Sequence, residues 1–251
     1  FLQGSVRGRL NYELIPDWVN VQARVAVDYN NMDWDRFMTD PNYIDEYPAE
    51  GTYWGPNFGE KRSNHNVNTT LQGIVNFSQN FGGQHDISGL VGYEQIHNDF
   101  EEFRAWRDQY YSNELRPLDL GNSANDGTRG YGNEWALRSF FGRLNYALLD
   151  RYLLEVNARY DGSSRFAEGN RYGFFPSFSL GWRMSEENFF DVDWVSELKF
   201  RGSWGQLGNQ SVGLYSYYSS INLDIPYYLG NSGGTQSVGG AATSLVNEEV
   251  S

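Results

Sequence analysis

The side chains best suited to bond-making chemistry are few and scattered. The histidines are His65, His85 and His97, and their mutual spacing matches no zinc-ligand pattern. They fall in or beside expected loops and turns, where an imidazole is ordinarily a solvated surface group. Cysteine is absent, so neither a thiolate metal site nor a disulfide framework is available. Asp33, Asp35, Asp40, Asp45 and Glu46 form a carboxylate-rich stretch that would attract Ca2+, yet they lack the regular spacing and central glycine of an EF-hand loop. Solvated loop charge is the simpler account. The glycine-rich stretch 230–240 has no Walker lysine and opens no helix, so it reads as a loop rather than a phosphate cradle. No acid, base and nucleophile converge. The expectation is a non-enzymatic chain with no cofactor, no catalytic residues and no metal site.

Two other residue classes carry more information. Aromatic residues make up 17% of the chain. They crowd two stretches, with Trp34, Phe37, Tyr43, Tyr47, Tyr53, Trp54 and Phe58 in the first, and Trp106, Tyr110 and Tyr111 in the second. Flat rings with polar tips stack on sugar faces or peptide side chains, or bury against a partner protein. The same rings also serve to pack a loop's own small core. Trp34, Tyr53, Trp54, Trp106, Tyr110 and Tyr111 are therefore the candidate contacts for a substrate or a covering partner. The second class is charge set at every other position of otherwise apolar runs: Arg24, Arg143, Glu155, Arg159, Arg183 and Arg201.

That second pattern identifies the elements. Side chains two residues apart share a face only in a β-strand. In Tyr152, Leu154, Val156, Ala158 and Tyr160 one face is apolar, while Glu155, Asn157 and Arg159 occupy the other. The run stops at Asp161-Gly162-Ser163-Ser164, which is turn chemistry. The same alternation recurs over Val6–Leu14, Val19–Tyr29, Val67–Phe77, Ile87–Tyr93, Phe140–Leu148, Phe174–Trp182 and Leu198–Trp204. Nearly all of these runs reach the roughly 9–11 residues that cross a bilayer as a tilted strand. The joins at 15–18, 79–84 and 149–151 are short, while 32–65, 101–133 and 206–251 are long. Ser185-Glu186-Glu187 reads as a brief helix with a serine N-cap.

An antiparallel transmembrane β-barrel is the fold class this implies, with tight turns on one side and extended external loops on the other. The mean hydropathy of −0.62 agrees, because lipid-facing and lumen-facing residues average out. No apolar run approaches the roughly 18 residues of a spanning helix. Tyr12, Tyr29, Tyr93, Tyr146, Tyr152 and Tyr160 sit near the ends of the apolar faces, as in an aromatic girdle. A soluble sandwich would rarely carry two such long connections. The net charge of −13 argues against nucleic acid, which requires clustered lysine and arginine. The chain opens at Phe1 with no charged and apolar leader, so the expectation is that a signal peptide was removed or that this is a piece of something longer.

One region also resembles a known family. Arg138 to Tyr146 (RSFFGRLNY), Asp150 to Leu154 (DRYLL), Ala158 to Phe166 (ARYDGSSRF), Gly173 to Ser177 (GFFPS), Leu180 to Arg183 (LGWR) and Leu198 to Gln210 (LKFRGSWGQLGNQ) resemble SusC-like (RagA-like) TonB-dependent transporters of the Bacteroidetes outer membrane. Residues 1–137 agree in style only, and 211–251 weakly. The resemblance implies a barrel of about 22 strands with a plug in its lumen, of which this chain would be a middle portion of eight or nine strands without plug or TonB box. It further implies import of a glycan or peptide across the outer membrane, TonB, a SusD-like surface lipoprotein over the mouth, and pairing of two transporter–lipoprotein units. A passive porin or adhesin barrel is the alternative. Under the resemblance the aromatic residues named above meet cargo or lid, and Arg24, Arg143, Glu155, Arg159, Arg183 and Arg201 face the lumen and the plug.

Overall fold

The computed structural model describes residues 1–39, 56–192, 194–219, 221–229 and 235–242. Eight strands form one sheet in the order of the sequence: β1 (Leu2–Ile15), β2 (Val19–Met38), β3 (Phe58–Phe81), β4 (His85–Asp108), β5 (Gly127–Leu148), β6 (Tyr152–Ser163), β7 (Tyr172–Arg183) and β8 (Lys199–Gly205). A separate antiparallel hairpin joins β9 (Ile221–Leu229) to β10 (Thr235–Ala242). The strands divide into two compact units. One holds residues 1–8, 25–70 and 97–134; the other holds 9–24, 71–96 and 135–251.

The eight alternating runs all lie within the eight sheet strands, apart from Leu198, which immediately precedes β8. The strands are longer than the runs that announced them. β3 and β4 each have 24 residues, well beyond the roughly 9–11 a bilayer needs. The expected loop 32–65 therefore shrinks to 39–57, and 101–133 shrinks to 109–126. The missing signal is apolar alternation, which both faces of those outer segments lack. Two smaller expectations are corrected. Ser185 does not cap a helix: a 3-10 turn runs Met184–Glu186 with Arg183 at its N-cap position and no side-chain cap bond. The glycine-rich stretch expected as a loop enters strand β10 from Thr235 onward.

The short joins are tight turns built by backbone geometry. Pro16 and Asp17 (φ 60) close β1 onto β2, with Trp18 N donating to Ile15 O at 3.1 Å. A proline at the second turn position followed by a left-handed residue is the type II arrangement. Gly82 and Gly83 both take positive φ between β3 and β4, where glycine carries no steric penalty. Leu149 and Asp150 do the same between β5 and β6 without glycine, at φ 53 and 56. Arg151 N, donating to Leu148 O at 3.0 Å, closes that turn.

The two faces of β5–β8 differ: one is apolar, and the other carries the charged and amide groups with Phe141, Leu153 and Phe175 among them. Phe140, Leu144, Tyr146 and Leu148 oppose Tyr160, Val156, Leu154 and Tyr152. Those in turn oppose Phe174, Phe178, Leu180 and Trp182, and Phe178 and Trp182 oppose Trp204 and Phe200. Ring pairs brace the register: Tyr160 stacks on Tyr172 at 5.1 Å, Trp182 on Phe200 at 6.0 Å, and Phe178 leans on Trp204 at 5.7 Å. Each such pair contributes about 0.2–1 kcal/mol. Among the described residues no protein layer covers this face, since Phe174, Leu180 and Phe200 are all more than half exposed. Among the described residues only Tyr110 and Phe166 are buried hydrophobics.

Two outcomes follow. Val156→Arg places a cation in the apolar face and is expected to cost about 2–4 kcal/mol in lipid, whereas Ser179→Arg on the other face costs little. Equilibrium unfolding of the full-length protein in vesicles measures both, and equal costs would contradict a lipid-facing side. At the β7–β8 join, hydrogen bonds from Tyr152 and Trp182, together with Arg151, hold the Glu187 carboxyl below the usual glutamate range. A carboxyl lowered by folding stabilises at pH above its unfolded value and loses that contribution as pH falls through the folded value. Glu187→Gln is accordingly expected to flatten the acid side of the stability profile, read as the denaturant midpoint between neutral pH and pH below 4.5.

Candidate functional site

The polar face of the second unit carries the charged candidates. Asn145 opposes Glu155, Arg143 opposes Asn157, and Phe141 opposes Arg159. Glu155 opposes Ser179, and Arg201 opposes Gly181. Because register fixes which side chains share a face, these groups lie side by side across the strands and bond in two chains. Arg24 donates to Gln72 at 3.2 Å, and Gln72 donates to Glu94 at 2.8 Å. Glu94 pairs with Arg159 at 3.5 Å. Arg159 grips Asp161 through Nε at 2.8 Å, donates to the fully buried Ser139 hydroxyl at 2.8 Å, and lies over Phe141 with its guanidinium 5.5 Å from the ring centroid. Arg143 donates to Asn157 at 2.7 Å, and Asn157 to Glu155 at 2.8 Å.

These side chains line an open concavity of ≈ 790 Å³ that includes Glu94, Arg143, Glu155, Arg159 and Arg201. Arg24, at the Gln72 end of its bonded chain, and Arg183 are not among its lining residues. Arg183 instead bonds Asp150 at 2.8 Å, beside the β5–β6 turn. The concavity mixes both signs of charge with amide and hydroxyl groups, so it presents donors and acceptors to a polar occupant.

The aromatic candidates belong to the first unit, and most of its polar contacts lie between β2, β3 and β4. Trp34, on β2 rather than in a loop, is 53% exposed, with the Arg62 guanidinium 5.0 Å from its ring centroid. Arg62 in turn pairs with Glu102. Trp106, on β4, is half-buried beneath Arg104 at 5.0 Å. Its indole lies so close to Gly127 that a Cβ there would collide with it. Tyr111 is 97% exposed. Tyr53 and Trp54 lie outside the described residues, as do Asp40, Asp45 and Glu46. Asp33 accepts from Ser63 at 2.6 Å and Asp35 pairs with Lys61 at 3.3 Å.

Tyr110 needs a correction. It is 6% exposed and forms the packing centre of the 109–126 segment instead of a contact surface. Phe37 meets it edge-on at 5.0 Å. Asn57 donates to Tyr110 O at 2.9 Å and accepts from Tyr110 N at 2.5 Å, and also donates to Asn113 at 3.1 Å. Burial pushes the Tyr110 hydroxyl above the usual phenol range. Asn57, buried and bonded three ways, had no mark in the sequence.

His65 and His97 lie within strands rather than in loops, while His85 opens β4 directly beside the Gly82-Gly83 turn, as expected. The Tyr29 hydroxyl lies 3.1 Å from His65 Nδ1, and the Tyr146 hydroxyl 2.8 Å from His85 Nδ1. His97 instead lies beside Asp99 and Glu134, a juxtaposition that histidine spacing alone did not reveal. The available signal was the pair His97 and Asp99, two residues apart in one strand.

Comparison with known proteins gives a consistent result. A family model described as TonB dependent receptor-like, beta-barrel, matches residues 2–247. The TonB-dependent receptor SusC of Bacteroides thetaiotaomicron is 34% identical over 214 residues, covering 84% of this chain and 20% of that protein. TonB-dependent receptor P3 of Formosa agariphila is 35% identical over 151 residues, covering 59% of this chain and 15% of the relative. Among solved structures, the RagAB peptide transporter superposes with a TM-score of 0.83 at 21% identity, over 98% of this chain and 26% of that one. The RagAB peptide importer in its 'open-open' state gives 0.83 at 22% identity, over 99% and 26%. The chain thus spans about a fifth of the length of SusC.

Asn57→Ala removes the amide that holds Tyr110. Leaving those buried groups unpaired costs about 1–3 kcal/mol. The expected outcome is amide exchange accelerated roughly tenfold to hundredfold over 109–113 in the full-length protein, with residues 152–163 unaffected. Uniform acceleration would mean that Asn57 supports the whole sheet.

Proposed function

We propose, on the premise that this chain belongs to the family of TonB-dependent receptor-like β-barrels, that it forms wall and mouth of a transporter importing a large nutrient across the bacterial outer membrane. The carrying observation is the two-faced sheet of β5–β8, apolar and uncovered on one side, charged and hydrogen-bonded on the other. A lipid-facing wall with a wet interior requires that separation. The fold class, an antiparallel transmembrane β-barrel present in part, agrees with it.

In this reading the chain carries out no covalent chemistry, and the outer membrane is its location. Arg24, Arg143, Glu155, Arg159, Arg183 and Arg201 face the lumen. The Arg24–Gln72–Glu94–Arg159 ladder already satisfies its own charges, so it serves to stiffen the wall and to meet a plug through the remaining donors. TonB acts on that plug, outside this chain. A SusD-like lipoprotein covers the mouth, where Trp34, Trp106 and Tyr111 meet lid or cargo, while Tyr110 packs beneath them. The cargo class is glycan or peptide, and the likeness of the fold to a solved peptide transporter supports the peptide arm.

Extraction of the full-length protein from its native membrane in mild detergent tests the assembly, and a stoichiometric lipoprotein partner is expected to co-purify. Trp34→Ala combined with Tyr111→Ala is expected to weaken that partner by about tenfold or more, since exposed aromatic anchors carry much of such interfaces. Unchanged lid binding and unchanged uptake in the double variant would remove these residues from the mouth. A barrel that emerges alone at every detergent strength would favour a receptor without a lid, or a passive pore.

A further inference from the structure

We propose that His97, Asp99 and Glu134 form a binding site for one divalent cation of the Zn2+ class. His97 and Asp99 stand two residues apart on β4 and therefore share a face. Glu134 comes from β5, the next strand in the sheet. One ligand atom from each residue lies within 4.8 Å of the other two, and all three side chains are reachable from solvent. Two ligands held at the usual zinc distances in a tetrahedral arrangement are roughly 3.4 Å apart. Closing the set onto an ion therefore takes small side-chain rotations and no movement of the strands.

The protein's other histidines mark the contrast. His65 and His85 each have a ring nitrogen beside a tyrosine hydroxyl and stack on that tyrosine, at 6.2 and 6.0 Å between ring centres. Among the described residues, His97 has no such partner, and Asp99 enters no ion pair. Two carboxylate oxygens and an imidazole nitrogen that converge on one point offer a dication both negative charge and a nitrogen donor.

The donor set also selects the ion. Calcium and magnesium favour oxygen-only shells, whereas an imidazole beside two carboxylates suits zinc. Three protein ligands leave a fourth position open, the geometry of a site that accepts a water or an external oxygen donor. The site is separate from the acidic stretch around Asp33 and Asp35, whose described carboxylates already have protein partners. It does not depend on the transport reading, because it rests on local geometry alone.

Equilibrium dialysis of the full-length protein in detergent against Zn2+ tests the site. Wild type is expected to bind one more ion per chain than His97→Gln, and a tenfold excess of Ca2+ is expected to leave that ion in place. His65→Gln, matched for the loss of one imidazole, is expected to bind as wild type does. Heat-modifiable migration on gels checks that each variant is folded, and Asp99→Asn, nearly isosteric, gives the same loss if His97→Gln fails that check. Equal zinc stoichiometry in wild type and in the folded variant overturns the proposal, as does displacement by Ca2+.

Discussion

An apolar sheet face with no protein layer over it is the constraint on which the rest of this structure depends. Strands β5–β8 align their aromatic and aliphatic side chains in register, and in water that face would be a large unfavourable surface. A soluble sheet covers such a face with helices or a second sheet. Here hydrocarbon must take the place of the missing layer. The consequence is that what would be a core in another protein lies at the surface, and almost nothing inside the sheet is deeply buried. Among the described strand residues, the buried side chains Asn98, Ser139 and Ser163 are polar, and Ser139, under Arg159, is fully buried.

The opposite face then needs a different kind of cohesion. Charges there are not isolated but linked, from Arg24 through Gln72 and Glu94 to Arg159 and Asp161. Individually such half-exposed pairs contribute little, about 0–1 kcal/mol each. Linked through shared partners, they restrict one another's rotamers and keep that face in one arrangement. The first unit achieves order by another route, with Asn57 and Tyr110 making a small buried centre among polar strands.

Much of this was legible in the sequence, and the reasons are specific. Alternation with a period of two is a direct image of a sheet with unlike faces, so Leu144, Val156, Phe178 and Trp204 declared their common side before any coordinates. The charged set Arg143, Glu155, Arg159 and Arg201 followed by parity. Where both faces are polar, as in β3 before Val67 and β4 beyond Tyr93, parity has nothing to report, and the strands there were read as loops. Trp34 and Trp106 were thereby assigned to loops although strands hold them. Tyr110 looked like Tyr111 in the sequence; only the position of Asn57, more than fifty residues earlier, distinguishes the buried ring from the exposed one. The His97, Asp99 and Glu134 set was hidden for the same reason, since the third member is brought in by strand pairing.

The unequal joins have a kinetic meaning. Every strand of the main sheet pairs with its immediate successor, so no crossover has to be threaded. Bringing chain ends together costs entropy that grows slowly with the length between them. Closing 39–57 is about 1–2 kcal/mol harder than closing 82–84 on that scaling. The turns at Pro16-Asp17, Gly82-Gly83 and Leu149-Asp150 therefore favour three early hairpins, β1–β2, β3–β4 and β5–β6. Their mutual docking waits on the longer segments. Tight turns at one end of the sheet thus define the units in which the wall is assembled, two strands at a time.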